Sequence, residues 1–330
     1  MFLRKGNRNA DAAGSIGDIN LAGRLLTALA AALLLAACSS TPRDFTIYQQ
    51  TIGEFQQATD QTAAVALEAV RGINGFERDY ELKQLRENPS RPLDIAKLDS
   101  PVLSPAAIEA RDRAFRLLKQ YTQMLAALAD NDASERWKIA SARTKAAAEL
   151  LVSDLSRNSG TLAELPIAQA LSPLKEITDV IVTKIITARR AAALEAAIEK
   201  AAPAIQEISG RLREDLAFVI RQRDSVKLLE IAQLSIDYGQ AQLDVNDSTR
   251  LRLLGEIDGS LDARTRDLAT LQGLMQSLDR FDAAHDALVR YAQSDKRPQD
   301  LSDLVAIVQG YSAIADQVFD SFKSAKETVS

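Results

Sequence analysis

An all-α fold, built as an elongated bundle of long, coiled-coil-like antiparallel helices, is what this sequence predicts. Three observations point there. Apolar residues recur at helical spacing, and no segment alternates with the period of two that marks a strand. Prolines and turn residues cluster at a few places and leave long stretches between them uninterrupted. The composition is 46% hydrophobic but only 5% aromatic, as expected of Ala- and Leu-rich helices packed closely.

The first 37 residues read as an address rather than a fold. An apolar run without charge, Leu25 to Ala37, follows Arg24. Its 13 residues fit the h-region of a signal peptide and are too short to span a bilayer. The run ends in Leu35-Ala36-Ala37-Cys38, which contains the only Cys of the chain. This tetrapeptide resembles the lipobox of bacterial lipoproteins. The resemblance implies cleavage between Ala37 and Cys38 and acylation of the Cys38 thiol, with small residues before it so that the backbone can enter the peptidase. It divides the chain into a signal peptide (1–37), a lipidated terminus and short tether (38–42) and an elongated helical-bundle domain (43–330). The long n-region, with Asp11 and Asp18, departs from the short basic pattern of such signals. Removing residues 1–37 takes away four basic residues (Arg4, Lys5, Arg8, Arg24) and two acidic ones, moving the formal charge from −5 to −7. Ser39 rather than Asp follows the Cys. By the same resemblance, that implies passage to the outer membrane of a Gram-negative envelope, facing the periplasm, with the bilayer as first partner.

Helix starts are marked by capping residues. Thr41-Pro42-Arg43-Asp44 and Ser104-Pro105 place Pro at the first helical position. Asp132 to Glu135 and Thr161 to Glu164 read as capping boxes, and Asp247-Ser248 and Asp300 are further cap candidates. The spacing predicts a first helix over 43–87, with a heptad stripe Phe45, Tyr48, Ile52, Phe55, Thr59, Thr62, Ala66, Ala69, Ile73, Phe76 and Tyr80. Small residues in its middle let a second helix approach, and aromatic ends fill wider layers. At 1.5 Å per residue it is roughly 65 Å long.

The proline-bearing stretch 89–104 reads as a loop. Helices follow over 105–130 and 133–157, split at Asp130-Asn131-Asp132, and Asn158-Ser159-Gly160 is the next break. A short helical piece over 162–171 leads to Ser172-Pro173. Around Pro203 no Gly, Asn or Asp offers a turn, and the apolar phase Ile198, Ala202, Ile205, Ile208, Leu212 runs through it. A single kinked helix from 173 to 243 is therefore favoured over two. Asp244 to Asp247 reads as a hairpin turn. The next helix, 248–293, has the heptads Leu254, Ile257, Leu261, Leu268, Leu271, Met275, Leu278. The chain then breaks at Ser294 to Pro298, and a last amphipathic helix covers 301–326. A rod of this kind is expected to show a radius of gyration clearly above the ~19 Å of a compact 288-residue chain.

Chemistry is sparse. One Cys excludes an internal disulfide and Cys-rich zinc sites, and one His excludes sites needing two imidazoles. The 40 basic against 45 acidic residues disfavour nucleic acid as a partner. No P-loop, GxGxxG, GxSxG or EF-hand occurs. Asp282-x-x-His285 could set a carboxylate and an imidazole on one face, but His285 also falls on the apolar seam between Phe281 and Leu288, which reads as a core position. Gly72 and Gly75 suggest a flex point or a close backbone approach. Arg189-Arg190 and Arg211-Leu212-Arg213, flanked by Glu195, Glu199 and Glu214, read as solvated helix faces with i,i+4 pairs. Trp137 reads as packed between helices. No catalytic, cofactor or metal residues are assigned. The expected function is that of a non-enzymatic, membrane-anchored structural or adaptor lipoprotein with an envelope protein partner. Two alternatives stand beside it. One is an enzyme or small-ligand carrier using a bundle cavity; the other is a membrane-active protein like the α-helical pore-forming toxins, inserting through Ile177 to Ile186.

Overall fold

The computed structural model describes residues 42–87, 90–130, 136–157, 190–243 and 247–329. Among these residues the chain is all-α, with α1 (Pro42–Glu87), α2 (Ile95–Leu98), α3 (Pro105–Ala129), α4 (Arg136–Arg157), α5 (Arg190–Leu243), α6 (Asp247–Gln293) and α7 (Pro298–Val329). The chain divides into two compact units, 1–46 and 47–330. Of the first, only the opening residues of α1 are described. In the second, α5 packs on α6, α6 on α7, and α3 on both α4 and α5. No described helix is long and apolar enough to cross a membrane.

The stripe on α1 is where the sequence placed it. Tyr48, Ile52, Phe55, Thr59, Thr62, Ala66, Ala69 and Ile73 are all buried, with Phe76 and Tyr80 half-buried at its end. Thr51, Ala58 and Val65 on one flank, and Ala63 and Val70 on the other, are buried as well. A two-helix seam would leave these flanks wet. They are dry because α1 has neighbours on several sides. Lys119 of α3 lies 3.5 Å from Asp60, Gln61 donates to Asp316 of α7, and Lys83 pairs with Glu230 of α5. Phe55 stacks on Phe281 of α6, centroids 5.4 Å apart.

Side chains and backbone turns close the helix ends. The Ser104 hydroxyl accepts from Ala107 N–H beside Pro105, as expected of an N-cap. The proline loop contains one unforeseen turn of helix, α2, capped by Asp94. The last helix starts at Pro298, three residues earlier than expected. Asp300 is then not the cap but the N3 residue, and its carboxylate accepts from Arg297 N–H. Between α6 and α7, Lys296 adopts φ 60°. Its ammonium folds back onto the last carbonyls of α6, including that of Ala292 at 2.6 Å, where a cation also offsets the helix dipole.

Pro203 lies inside α5, on an exposed position, as the continuous-helix reading required. The proline leaves the carbonyl of residue 199 without its helical donor. Because Glu199 is exposed, water can serve that carbonyl. The opposite face, from Ala197 and Ile198 through Ala201, Ala204, Ile205 and Ile208 to Leu212, stays buried. Arg190–Leu243 is one helix; residues 173–189, the 162–171 piece, both internal capping boxes, Arg189 and Asp244 to Asn246 lie outside the described residues.

Two expectations are corrected. The heptad phase of α6 is wrong in its first half: Leu254 and Leu261 are exposed, at 45% and 44%, and Leu253 is the buried contact, with Ile257 partly buried. The phase recovers at Leu271 and Leu278, with Leu274 buried between them. Gly72 and Gly75 are not close approaches, since a Cβ there would meet nothing within 4 Å. The close approach is Gly273 of α6, where a Cβ would lie 2.9 Å from Val318 Cγ2 of α7.

Candidate functional site: the polar core around His285

The only histidine sits at the centre of the bundle, 1% exposed. α6 brings it there as the seam residue between Phe281 and Leu288, both buried. Its ring lies nearly parallel to Phe281 and within 6.4 Å of Phe55. Tyr121 of α3 approaches edge-on, and its hydroxyl shares a 2.9 Å hydrogen bond with His285 Nε2. Burial lowers the His285 pKa from 6.5 to about 4, against a weak opposing pull from the Asp286 charge. The imidazole is therefore neutral at pH 7. Burial also pushes the Tyr121 hydroxyl far above the ordinary tyrosine range. Nδ1 has no hydrogen-bond partner among the described residues.

One layer away lies a second polar group set. Tyr311 of α7 donates to Thr62 Oγ1 at 3.1 Å, and Thr62 is 2.6 Å from Ser277 of α6. Thr59 and Thr62 also donate to the carbonyls one turn back, at Phe55 and Ala58. Every hydroxyl of this set is buried and satisfied, so it links α1, α6 and α7 without an unpaired group. Thr59 and Thr62, which the heptad reading treated as small spacers, are thus hydrogen-bonding residues too.

The Asp282-x-x-His285 pair does not act as a pair. Asp282 turns to α5, where Arg213 Nη2 lies 3.1 Å from it. Burial nevertheless holds its carboxyl above the usual range. Asp286 accepts from Gln206 of α5. No group of three or more His, Cys, Asp or Glu that could hold a metal occurs among the described residues. Trp137 is buried, as expected. Arg211 makes the local pairs expected of it, with Glu207 and Glu214. Arg213 instead crosses to Asp279 and Asp282 of α6. Between α3 and α5, Arg111 and Asp215 form a largely buried ion pair at 2.6 Å. Burial raises the Asp215 pKa, and the Arg111 charge opposes that rise.

What this geometry can do is limited by access. A neutral imidazole sealed among Phe55, Phe281 and Tyr121 reaches no solvent, so His285 positions Tyr121 and fills the core. The expected lipidation residue Cys38 and the cleavage residue Ala37 lie outside the described residues. The class that the fold and this interior define is an all-α helical bundle with a hydrogen-bonded polar core. No family model, no curated protein and no solved structure matches the chain.

Proposed function

We propose that this chain is a bacterial envelope lipoprotein, anchored through acylated Cys38 in the outer membrane and facing the periplasm. There it acts as a non-enzymatic adaptor that holds partners on its helical surfaces. The observation that carries the reading is Leu35-Ala36-Ala37-Cys38 after the apolar run 25–37. The start of α1 at Pro42 supports it. Only Ser39, Ser40 and Thr41 lie between the anchor and the first helix, so the tether is short. The lipoprotein class that the lipobox resembles carries three acyl chains, more than the two membrane signals that stable anchoring needs.

The test is Cys38→Ala in the full chain, followed by fractionation and sizing. The expected result is an unprocessed precursor, or a product cut elsewhere and without lipid. Normal-size, membrane-bound protein carrying that change contradicts the proposal.

A further inference from the structure

One face of α5 changes its surroundings halfway along. In its first half Asp215 takes Arg111 of α3, and Phe218 and Gln222 line the cleft against the loop at Lys97 to Val102. Continuing in the same seven-residue phase, the second half carries Leu229, Ala232, Ile236, Gly239 and Leu243. Among the described residues nothing covers it: Leu229 and Ile236 are 56% exposed and Leu243 is 83% exposed. α6 occupies the opposite side of the helix, where Leu234 and Ala241 pack on Leu253 with Tyr238 and Ile257 around them.

The flanks of this stripe are uncharged. Leu228, Gln233, Ser235, Gln240 and Gln242 border it. Between 228 and 243 the only charges are Glu230, tied to Lys83 and Lys227, and Asp237, which accepts from Gln233. An ordinary solvated helix face in a chain that is 26% charged would carry several free charges.

We infer that this face of α5 pairs with the same face of a second copy of the chain. A heptad stripe with large residues at one position and Ala232 and Gly239 at the other is a coiled-coil seam, and the small residues let two backbones approach. The spacing is self-complementary: Leu229 and Leu243 lie seven residues on either side of Ile236, so Ile236 meets its own copy whichever way the helices run. Charge selects the same occupant. The chain is net negative, so most faces of two copies repel, while this one carries no charge to repel. A charged partner would find nothing here to match. The stripe spans only about 21 Å of helix, so the pair belongs to the weak end of interfaces. Confinement of both copies to one membrane plane raises their effective concentration; this last point rests on the anchoring proposed above.

The test uses the full chain with Ile236→Cys, oxidised in intact envelopes and run on a non-reducing gel. Leu251→Cys, on α6 and 71% exposed, serves as the comparison, and the parent chain gives the background from Cys38. The expected result is covalent dimer from Ile236→Cys at least tenfold above Leu251→Cys, cut severalfold by adding Ala232→Glu. Equal yields at the two positions overturn the inference, as does a dimer indifferent to Ala232→Glu, or a crosslink from position 236 to a different protein. Fractionation of the parent chain in the same experiment reports on anchoring separately.

Discussion

The bundle around Phe55 and the far half of the α5–α6 pair are built from the same helices by different means. Around Phe55, four helices meet, and aromatic rings from α1, α3, α6 and α7 interlock with buried hydroxyls and an imidazole. In the far half, two helices share a small cluster of Leu234, Ala241 and Leu253, while Leu229, Ile236, Leu243 and Leu254 face outward. The first arrangement buries its rings and most of its polar groups against one another. The second has an apolar face that no described residue of the chain covers. Stability is thus expected to reside near Phe55, and recognition in the α5–α6 pair.

The largest expected contrast is a truncation. Phe281→Ala removes a ring packed against both Phe55 and His285 and is expected to cost about 3–5 kcal/mol. Leu243→Ala is expected to change stability by no more than about 0.5 kcal/mol. Chemical denaturation of the two variants measures both, and equal losses would erase the distinction between the regions.

Next in size is the pH dependence of the core. The folded His285 pKa, about 4, lies below its ordinary 6.5. Its stability contribution is therefore complete above about pH 6.5 and lost as pH falls, the loss ending near pH 4. At 1.36 kcal/mol per unit the total is of order 3 kcal/mol. Asp215, Asp267 and Asp282, raised by burial, act with the opposite sign. The difference between the parent chain and a Tyr121→Phe/His285→Phe variant isolates the histidine. The variant is expected to lose less stability between pH 6.5 and pH 4; equal acid sensitivity would remove His285 from the account.

Ala66→Leu overfills the fully buried middle of α1 and is expected to cost about 1–3 kcal/mol. An unchanged melting temperature would contradict the packing of that stripe. The smallest contrast is one of sign. Gly259→Ala, in open space, is expected to stabilise by about 0.5–1 kcal/mol. Gly273→Ala is expected to lose that gain or reverse it, because its methyl meets the stiff Val318 side chain at 2.9 Å. Thermal melts of the two separate them.

The sequence made helix existence, most helix ends and the α1 stripe legible, because these depend on local periodicity and on caps such as Ser104. It misassigned α6 at Leu253-Leu254, where adjacent leucines fit two phases and only the position of α5 chooses between them. The burial of His285 followed from its seam position. Its bond to Tyr121, 164 residues away, did not. Nor did the Thr62–Ser277–Tyr311 set, or the approach of Val318 to Gly273, since each is fixed by helices that meet only in the folded chain. For the candidate site, Asp282 shows the limit most clearly: spacing put it on a face with His285, while Arg213 of another helix determines where it points.

The most direct test of the central claim is mass spectrometry of tryptic peptides from the envelope fraction. A chain anchored through Cys38 yields a peptide beginning at Cys38 and ending at Arg43, carrying acyl chains on the cysteine. An unmodified peptide running from Leu25 to Arg43 as the dominant species in that fraction would contradict it.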